Sequence, residues 1–238
     1  MIVRHAGRVL HLITQPDHAA LAHRIMQRWE PLRQHARRAS ILLAIQEHDN
    51  GWREPDASPP VDPGSGQIYD FINAPATIRQ AVWPRGVARL SHDPWAAALV
   101  AQHALTIYDR YKSDTDWSGF FTDMSATRSA LVESCGLTLP QLSDDYVHLR
   151  IGDLISLVFC NGWREPQQVE RWRFQLDGER VAITPGSFAG DLEMAVPARE
   201  LADTFYASDA QLKEALQSAP AITLMGVISP GAAASPGR

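Results

Sequence analysis

Cysteine is scarce in this chain of 238 residues: Cys135 and Cys160 are the only two. They form no C-x-x-C motif, so neither a disulfide framework nor a cysteine zinc site is expected. Long apolar runs are missing as well. The longest, around Ile41–Ile45 and Leu154–Cys160, fall far short of the ~18–20 residues that span a bilayer. The opening MIVRHAGRVLHLITQ has no continuous apolar stretch and no small-residue cleavage pattern, so no signal peptide is expected. Positive charge is not in excess either. With 22 Lys and Arg against 27 Asp and Glu, the net charge is −5. That balance argues against a nucleic-acid polymer as partner, because no broad phosphate-neutralising surface can be built. Gly-x-Gly-x-x-Gly, Walker and Gly-x-Ser-x-Gly motifs are absent. A soluble, cytoplasmic protein without a membrane partner is the expectation, and 45% hydrophobic residues supply its core.

What is present reads mostly as helix. Alternation around Ala6-Gly7 predicts a short hairpin. Helical spacing follows at His18 to about Trp29, Arg37–Asp49, Pro94–Tyr111, Trp117–Cys135 and Pro140–Cys160. Between Arg53 and Pro75 the prolines and Gly64-Ser65-Gly66 exclude an ordinary helix, and a stretch that long predicts a functional loop. From about residue 169 the pattern becomes β-rich. Trp172, Phe174 and Leu176 alternate up to the turn Asp177-Gly178, then come Val181 and Ile183, Leu192–Val196, a helix at Ala210–Gln217 and a strand at Ile222–Ile228. The segment Asn50-Gly51-Trp52-Arg53-Glu54-Pro55 recurs as Asn161-Gly162-Trp163-Arg164-Glu165-Pro166. Shared helix-stop chemistry accounts for the echo; a remote duplication, or two arginine-bearing loops facing one cleft, are the alternatives.

The chemistry concentrates in His18, His48-Asp49, His103 and Asp153. Asp153 has Leu149, Leu154 and Leu157 as helical neighbours, so its carboxylate is expected in an apolar stripe, where it needs a cation or several donors. A buried arginine or backbone N–H groups would serve equally. His103 lies among Leu99, Val100 and Ile107, as a plain core histidine also could. Together, neutral imidazoles and carboxylates make a ligand set for a divalent transition ion.

The order His, His-Asp, distant Asp across successive helices resembles the HD-domain superfamily of metal-dependent phosphohydrolases. The fuller string is MIVR, Gln15-Pro16-Asp17-His18, His48-Asp49-Asn50-Gly51-Trp52, Asp70-Phe71 and Gly152-Asp153-Leu154-Ile155-Ser156-Leu157. It resembles an uncharacterised bacterial family of HD-like type over roughly Met1 to Thr223. The resemblance implies a metal held by His18, His48, Asp49 and Asp153, with Mn, Fe, Ni, Zn or Mg as candidates. His103 lies where some HD enzymes carry extra histidines for a second ion or a substrate phosphate, and it joins Asp49 as a catalytic candidate.

The expected fold is therefore mainly α: one HD-like helical metal-site domain over residues 1–229. It carries a small antiparallel sheet from the N-terminal hairpin and the C-terminal strands, and a disordered tail at 230–238. The expected function is hydrolysis of a small anionic phosphoester or nucleotide. Arg53, Lys112 and Arg164 are candidates to balance substrate charge, and Trp52 and Phe71 to form the wall and hinge of a lid made by the loop. The alternatives are an HD-fold non-haem iron oxygenase, and a non-catalytic, metal-stabilised ligand-binding module.

Overall fold

The alternation at the start of the chain folds as expected. Strands β1 (Ile2–Ala6) and β2 (Val9–Ile13) pair antiparallel around Gly7 in this computed structural model, which describes residues 1–230. Four helices carry most of the chemistry. Helix α1 (Gln15–Met26) opens on Thr14, whose hydroxyl accepts the Asp17 N–H, with Pro16 in the first turn. Helix α2 (Arg38–Glu47) ends at His48. The short α3 (Arg53–Ala57) and then α4 (Ala76–Ala88) follow, and α5 (Pro94–Ile107) is capped by Asp93. Alanines at 96, 97, 98, 101 and 104 let α5 bury itself on several sides at once. Helix α6 (Ser118–Ser134) leads to α7 (Leu139–Asn161), which starts with a capping box of Thr138 and Gln141. It stops at Gly162, whose φ of +70° is a conformation glycine adopts without a Cβ penalty.

Strands β3 (Gln167–Val169), β4 (Trp172–Asp177), β5 (Arg180–Thr184) and β6 (Leu192–Ala202) come next, then α8 (Asp209–Ser218) and β7 (Ala221–Pro230). All seven strands join one curled sheet in the order β1-β2-β6-β7-β5-β4-β3, with β5–β7 parallel and the other pairs antiparallel. This corrects the expectation of a mainly α, or all-α, fold with a small antiparallel sheet. The chain is 50% helix and 20% strand, and the mixed sheet is a substantial layer. The eleven-residue β6 is the reason: it pairs with β2 on one side and β7 on the other, fusing two pieces that look separate in sequence.

The two faces of the sheet bury different partners. Ile2, Ile13, Met194 and Val196 belong to the main core with α1, α2, α5 and α7. On β2 the alternate residues Leu10 and Leu12 point the other way, into a second cluster with Leu201, Leu212, Val61 and Ile68. The loop after α3 is thereby fastened. Val61 and Ile68 form a β-bridge across its arms and are both buried. Its arms sit on the face of the sheet opposite α1, α2, α5 and α7, with Leu212 of α8. Trp52 lies in the main core and Phe71 packs partly buried against it. The expected lid is not formed, because burial of Val61 and Ile68 docks the segment elsewhere. Its first residues do form a helix, α3, despite Pro55.

The repeated hexapeptides also diverge. Gly162 is a left-handed helix stop. Gly51 is not; there a Cβ would lie 1.9 Å from the Val82 carbonyl oxygen, so glycine permits the turn to press against α4. Among the described residues no helix is long and apolar enough to cross a membrane. Pro230, expected at the start of a disordered tail, closes β7; residues 231–238 lie outside the described residues.

Candidate metal centre

Helices α1, α2, α5 and α7 pack on one another and deliver one or two polar side chains each to a common point. His18 comes from the first turn of α1, and His48 and Asp49 from the end of α2. His103 comes from the middle of α5 and Asp153 from the middle of α7. His18, His48, Asp49 and His103 are buried, and the Asp153 side chain is 14% exposed. One ligand atom each from His18, His48 and Asp49 lie within 4.8 Å of one another, as do those from His48, His103 and Asp153.

The outer hydrogen bonds orient these rings. Ser156 Oγ donates its single proton to the Asp153 carbonyl at 2.9 Å, so towards His18 Nδ1, 2.7 Å away, it acts as acceptor. His18 therefore carries its proton on Nδ1. Its Nε2 meets Asp49 Oδ2 at 2.7 Å and lies 3.9 Å from Asp153 Oδ1. His48 repeats the pattern. Its Nδ1 donates to the Ile45 carbonyl at 2.7 Å, and its buried Nε2 has no hydrogen-bond partner while lying 3.4 Å from a carboxylate oxygen of both Asp49 and Asp153. His103 Nδ1 is held by the Tyr146 hydroxyl at 3.1 Å and its Nε2 is 3.8 Å from Asp153 Oδ2. A ring nitrogen without its proton cannot sit against a carboxylate oxygen at such distances unless a cation lies between them. That cation is a second proton on the ring or a metal ion. Tethering one ring nitrogen to an oxygen while the other faces inward is the usual support of a metal-ligating histidine. His18, His48, Asp49 and Asp153 thus fit a divalent ion, with His103 beside them. Since His48 Nδ1 is already engaged, its single remaining nitrogen makes the two overlapping triads one centre.

The electrostatics express the same demand. Burial alone would lower the His48 pKa, but the Asp49 and Asp153 carboxylates outweigh it and raise the value to about 9. Burial works against ionisation of Asp153, yet His48, His103 and His18 bring it down to about 2. Asp49 is likewise lowered by His48 and His18 against the cost of burial. His103 goes the other way: burial takes it down to about 4 despite Asp153, which leaves a neutral ring at pH 7.

The other expected residues do not converge here. Trp52 donates its backbone N–H to the Asp49 carbonyl at 3.0 Å, but its indole is core. Arg53 pairs with Glu47 at 2.7 Å on the surface. Lys112 is exposed after the turn at Asp109–Tyr111. Arg164 stands beyond the end of α7, its carbonyl bonded to Gln175, and Phe71 donates its N–H to the Met1 carbonyl. Sequence reading missed the outer shell of Ser156 and Tyr146. Ser156 had a legible signal, lying one helical turn after Asp153, whereas Tyr146 had none. It missed Trp83 too, whose ring edge meets His103 at 5.6 Å from α4.

A second buried carboxylate on α7 is closed differently. Asp145 accepts two hydrogen bonds from Arg37, at 2.6 and 3.0 Å, and one from Trp95 Nε1 at 2.8 Å, with His35 at 3.3 Å. The pair raises the Arg37 pKa further, so the guanidinium is permanently charged. The structural role considered for Asp153, capping an arginine, belongs to Asp145.

No curated protein and no solved structure matches the chain. A family profile does, over residues 1–203, which is most of the length. The chain belongs to the family described as Protein of unknown function (DUF3891).

Proposed function

We propose that the chain is a cytoplasmic metal-dependent phosphohydrolase acting on a small anionic phosphoester or nucleotide. His18, His48, Asp49 and Asp153 would hold a divalent ion (Mn, Fe, Ni, Zn or Mg). One observation carries this reading: with their Nδ1 atoms tethered to Ser156 and the Ile45 carbonyl, the Nε2 atoms of His18 and His48 face carboxylate oxygens at 2.7 and 3.4 Å, an arrangement that a metal ion in place of ring protons would satisfy. The order His, His-Asp, Asp on α1, α2 and α7 resembles that of the HD-domain superfamily, although the large curled sheet is not part of that resemblance. When bound, such an ion supplies Lewis acidity to a phosphoryl oxygen and acidity to a water.

The residues do the rest. Asp49 and Asp153 stay ionised at neutral pH and can take up a proton from a hydroxyl. His103, neutral because its pKa is about 4, would contact a substrate phosphate through its inward ring nitrogen as an uncharged imidazole. Ser156, Tyr146 and the Ile45 carbonyl fix the rings so that little reorganisation accompanies binding.

Oxidative chemistry is the second reading, and a specific feature favours it. An aromatic path runs from His103 to Trp83 at 5.6 Å, on to Tyr108 at 6.1 Å and Trp117 at 4.7 Å, and ends on the half-buried Tyr111 at 4.8 Å between ring centroids. Side chains of this kind can pass an electron stepwise. A phosphoester screen with fully metallated protein separates the two. Turnover that chelation stops and Mn restores supports the hydrolase. No turnover, with oxygen consumption in the presence of ferrous iron, supports the oxidative reading instead.

A further inference from the structure

We propose that the arginine-lined cleft at the end of α1 is a second ligand site, taking a small phosphate-bearing anion, distinct from the candidate metal centre. The cleft, of about 640 Å3, lies between the residues after α1, the start of α2 and the segment joining β5 to β6. His18 and Gln27 are nine residues apart on the α1 side, roughly 14 Å at the helical rise, so the two sites do not share atoms.

The cleft carries one positive side chain more than negative ones, in a protein that is acidic overall. Arg28, Arg33 and Arg38 line it against Glu30 and Asp191. Neither acid pairs with Arg28 or Arg38. Asp191 is committed to Arg180 at 2.9 Å, and Glu30 approaches Arg33 only to 3.7 Å. Arg28 has no carboxylate within 4.0 Å and makes no side-chain hydrogen bond among the described residues. Arg38 spends one N–H on the Gln27 carbonyl at 3.1 Å and keeps its other donors. The start of α2 adds its own partial positive charge, since no side chain caps it. The pKa of His23 is lowered by burial and by Arg24 and Arg38, in keeping with a locally positive field.

Like charges held together repel, and folding gains nothing from assembling them on a surface. The arrangement gains when an anion enters. Guanidinium forks match phosphate oxygens two at a time, which suits phosphate over a single carboxylate. The volume is that of a small-molecule site. The floor is formed by Trp29 and Phe188, in edge contact at 5.2 Å and buried, so the arginines project from a rigid base.

The test is calorimetric titration of chelator-treated full-length protein with inorganic pyrophosphate, which keeps the metal centre out of the measurement. Arg28→Gln/Arg33→Gln changes two exposed side chains and leaves the fold intact by circular dichroism. Saturable binding by the wild type, weakened at least tenfold in the double variant and unchanged in Asp153→Asn, is expected. No saturable binding at millimolar pyrophosphate would overturn the proposal. So would binding that the double variant retains, or that Asp153→Asn abolishes; the last result would place the anion at the metal centre.

Discussion

Two buried carboxylates stand eight residues apart on α7, and their surroundings teach opposite lessons. Asp145 faces donors that are protonated whatever else binds: a guanidinium fork and an indole N–H. Its demand is met within the chain, as expected of a structural ion pair. Asp153 faces imidazoles whose protons are drawn away to Ser156 and the Ile45 carbonyl. Its demand is met by an exchangeable cation, a second proton on a ring or a metal ion. Burial of an acid therefore does not distinguish structure from function; the proton inventory of its neighbours does.

Exchanging the two defects is the sharpest way to break this comparison. Asp153→Ala should abolish stoichiometric metal uptake. With it should go the stabilisation that metal gives the wild type, about 2.7 kcal/mol at a hundredfold excess over Kd. Asp145→Ala should leave metal stoichiometry at the wild-type level. It should cost about 3 kcal/mol in urea unfolding, because Arg37 and Trp95 lose their acceptor. If Asp145→Ala loses metal, or Asp153→Ala retains it, the contrast between the two sites is wrong.

A smaller effect tests the outer shell. Ser156→Ala removes the acceptor that holds the His18 proton on Nδ1. Metal affinity should fall roughly 10–100-fold, with the stoichiometry unchanged at saturation. Unaltered affinity would show that His18 is oriented by packing alone.

The pH dependence gives the finest resolution. In the metal-free protein the His48 pKa is about 9 against 6.5 for the free side chain. Its stabilising contribution is therefore complete below pH 6.5 and fades as pH rises to 9. His103, at about 4, has the opposite sign: its contribution is present above 6.5 and is lost as pH falls to 4. Asp153, at about 2, contributes above 3.8 and loses that contribution as pH falls to 2. A bound metal ion would replace the His48 proton, so uptake would release protons. The rise in Tm on adding metal should be larger at pH 8.5 than at pH 6.5. An equal or smaller rise would mean that His48 does not exchange a proton for the ion.

Much of the site was readable from residue types and helical spacing, because His18, His48-Asp49, His103 and Asp153 each sit on a strongly periodic segment. The fold was less readable. Helix α4 carries Pro84 in its interior, a residue that argues against a helix from sequence although Val82, Trp83 and Val87 keep helical spacing. The sheet was underestimated because pairing of β6 with β2 joins residues 190 apart in sequence, and no local pattern encodes such a partner. The loop misled for a related reason. Val61 and Ile68 look like isolated apolar residues among prolines, yet each completes a cluster made by β2, β6 and α8. For Arg53, Lys112 and Arg164 the sequence offers charge alone, which carries no information about which point in space a side chain reaches.

The central claim is that His18, His48, Asp49 and Asp153 hold one divalent ion, with His103 beside it. Metal analysis of wild-type protein purified without chelator, repeated after incubation with Mn, Fe, Zn, Ni or Mg and desalting, tests it most directly. The account predicts about one ion per chain for at least one of these metals. A chain that stays metal-free with all of them, its His18 and His48 rings both doubly protonated by NMR at neutral pH, would contradict it.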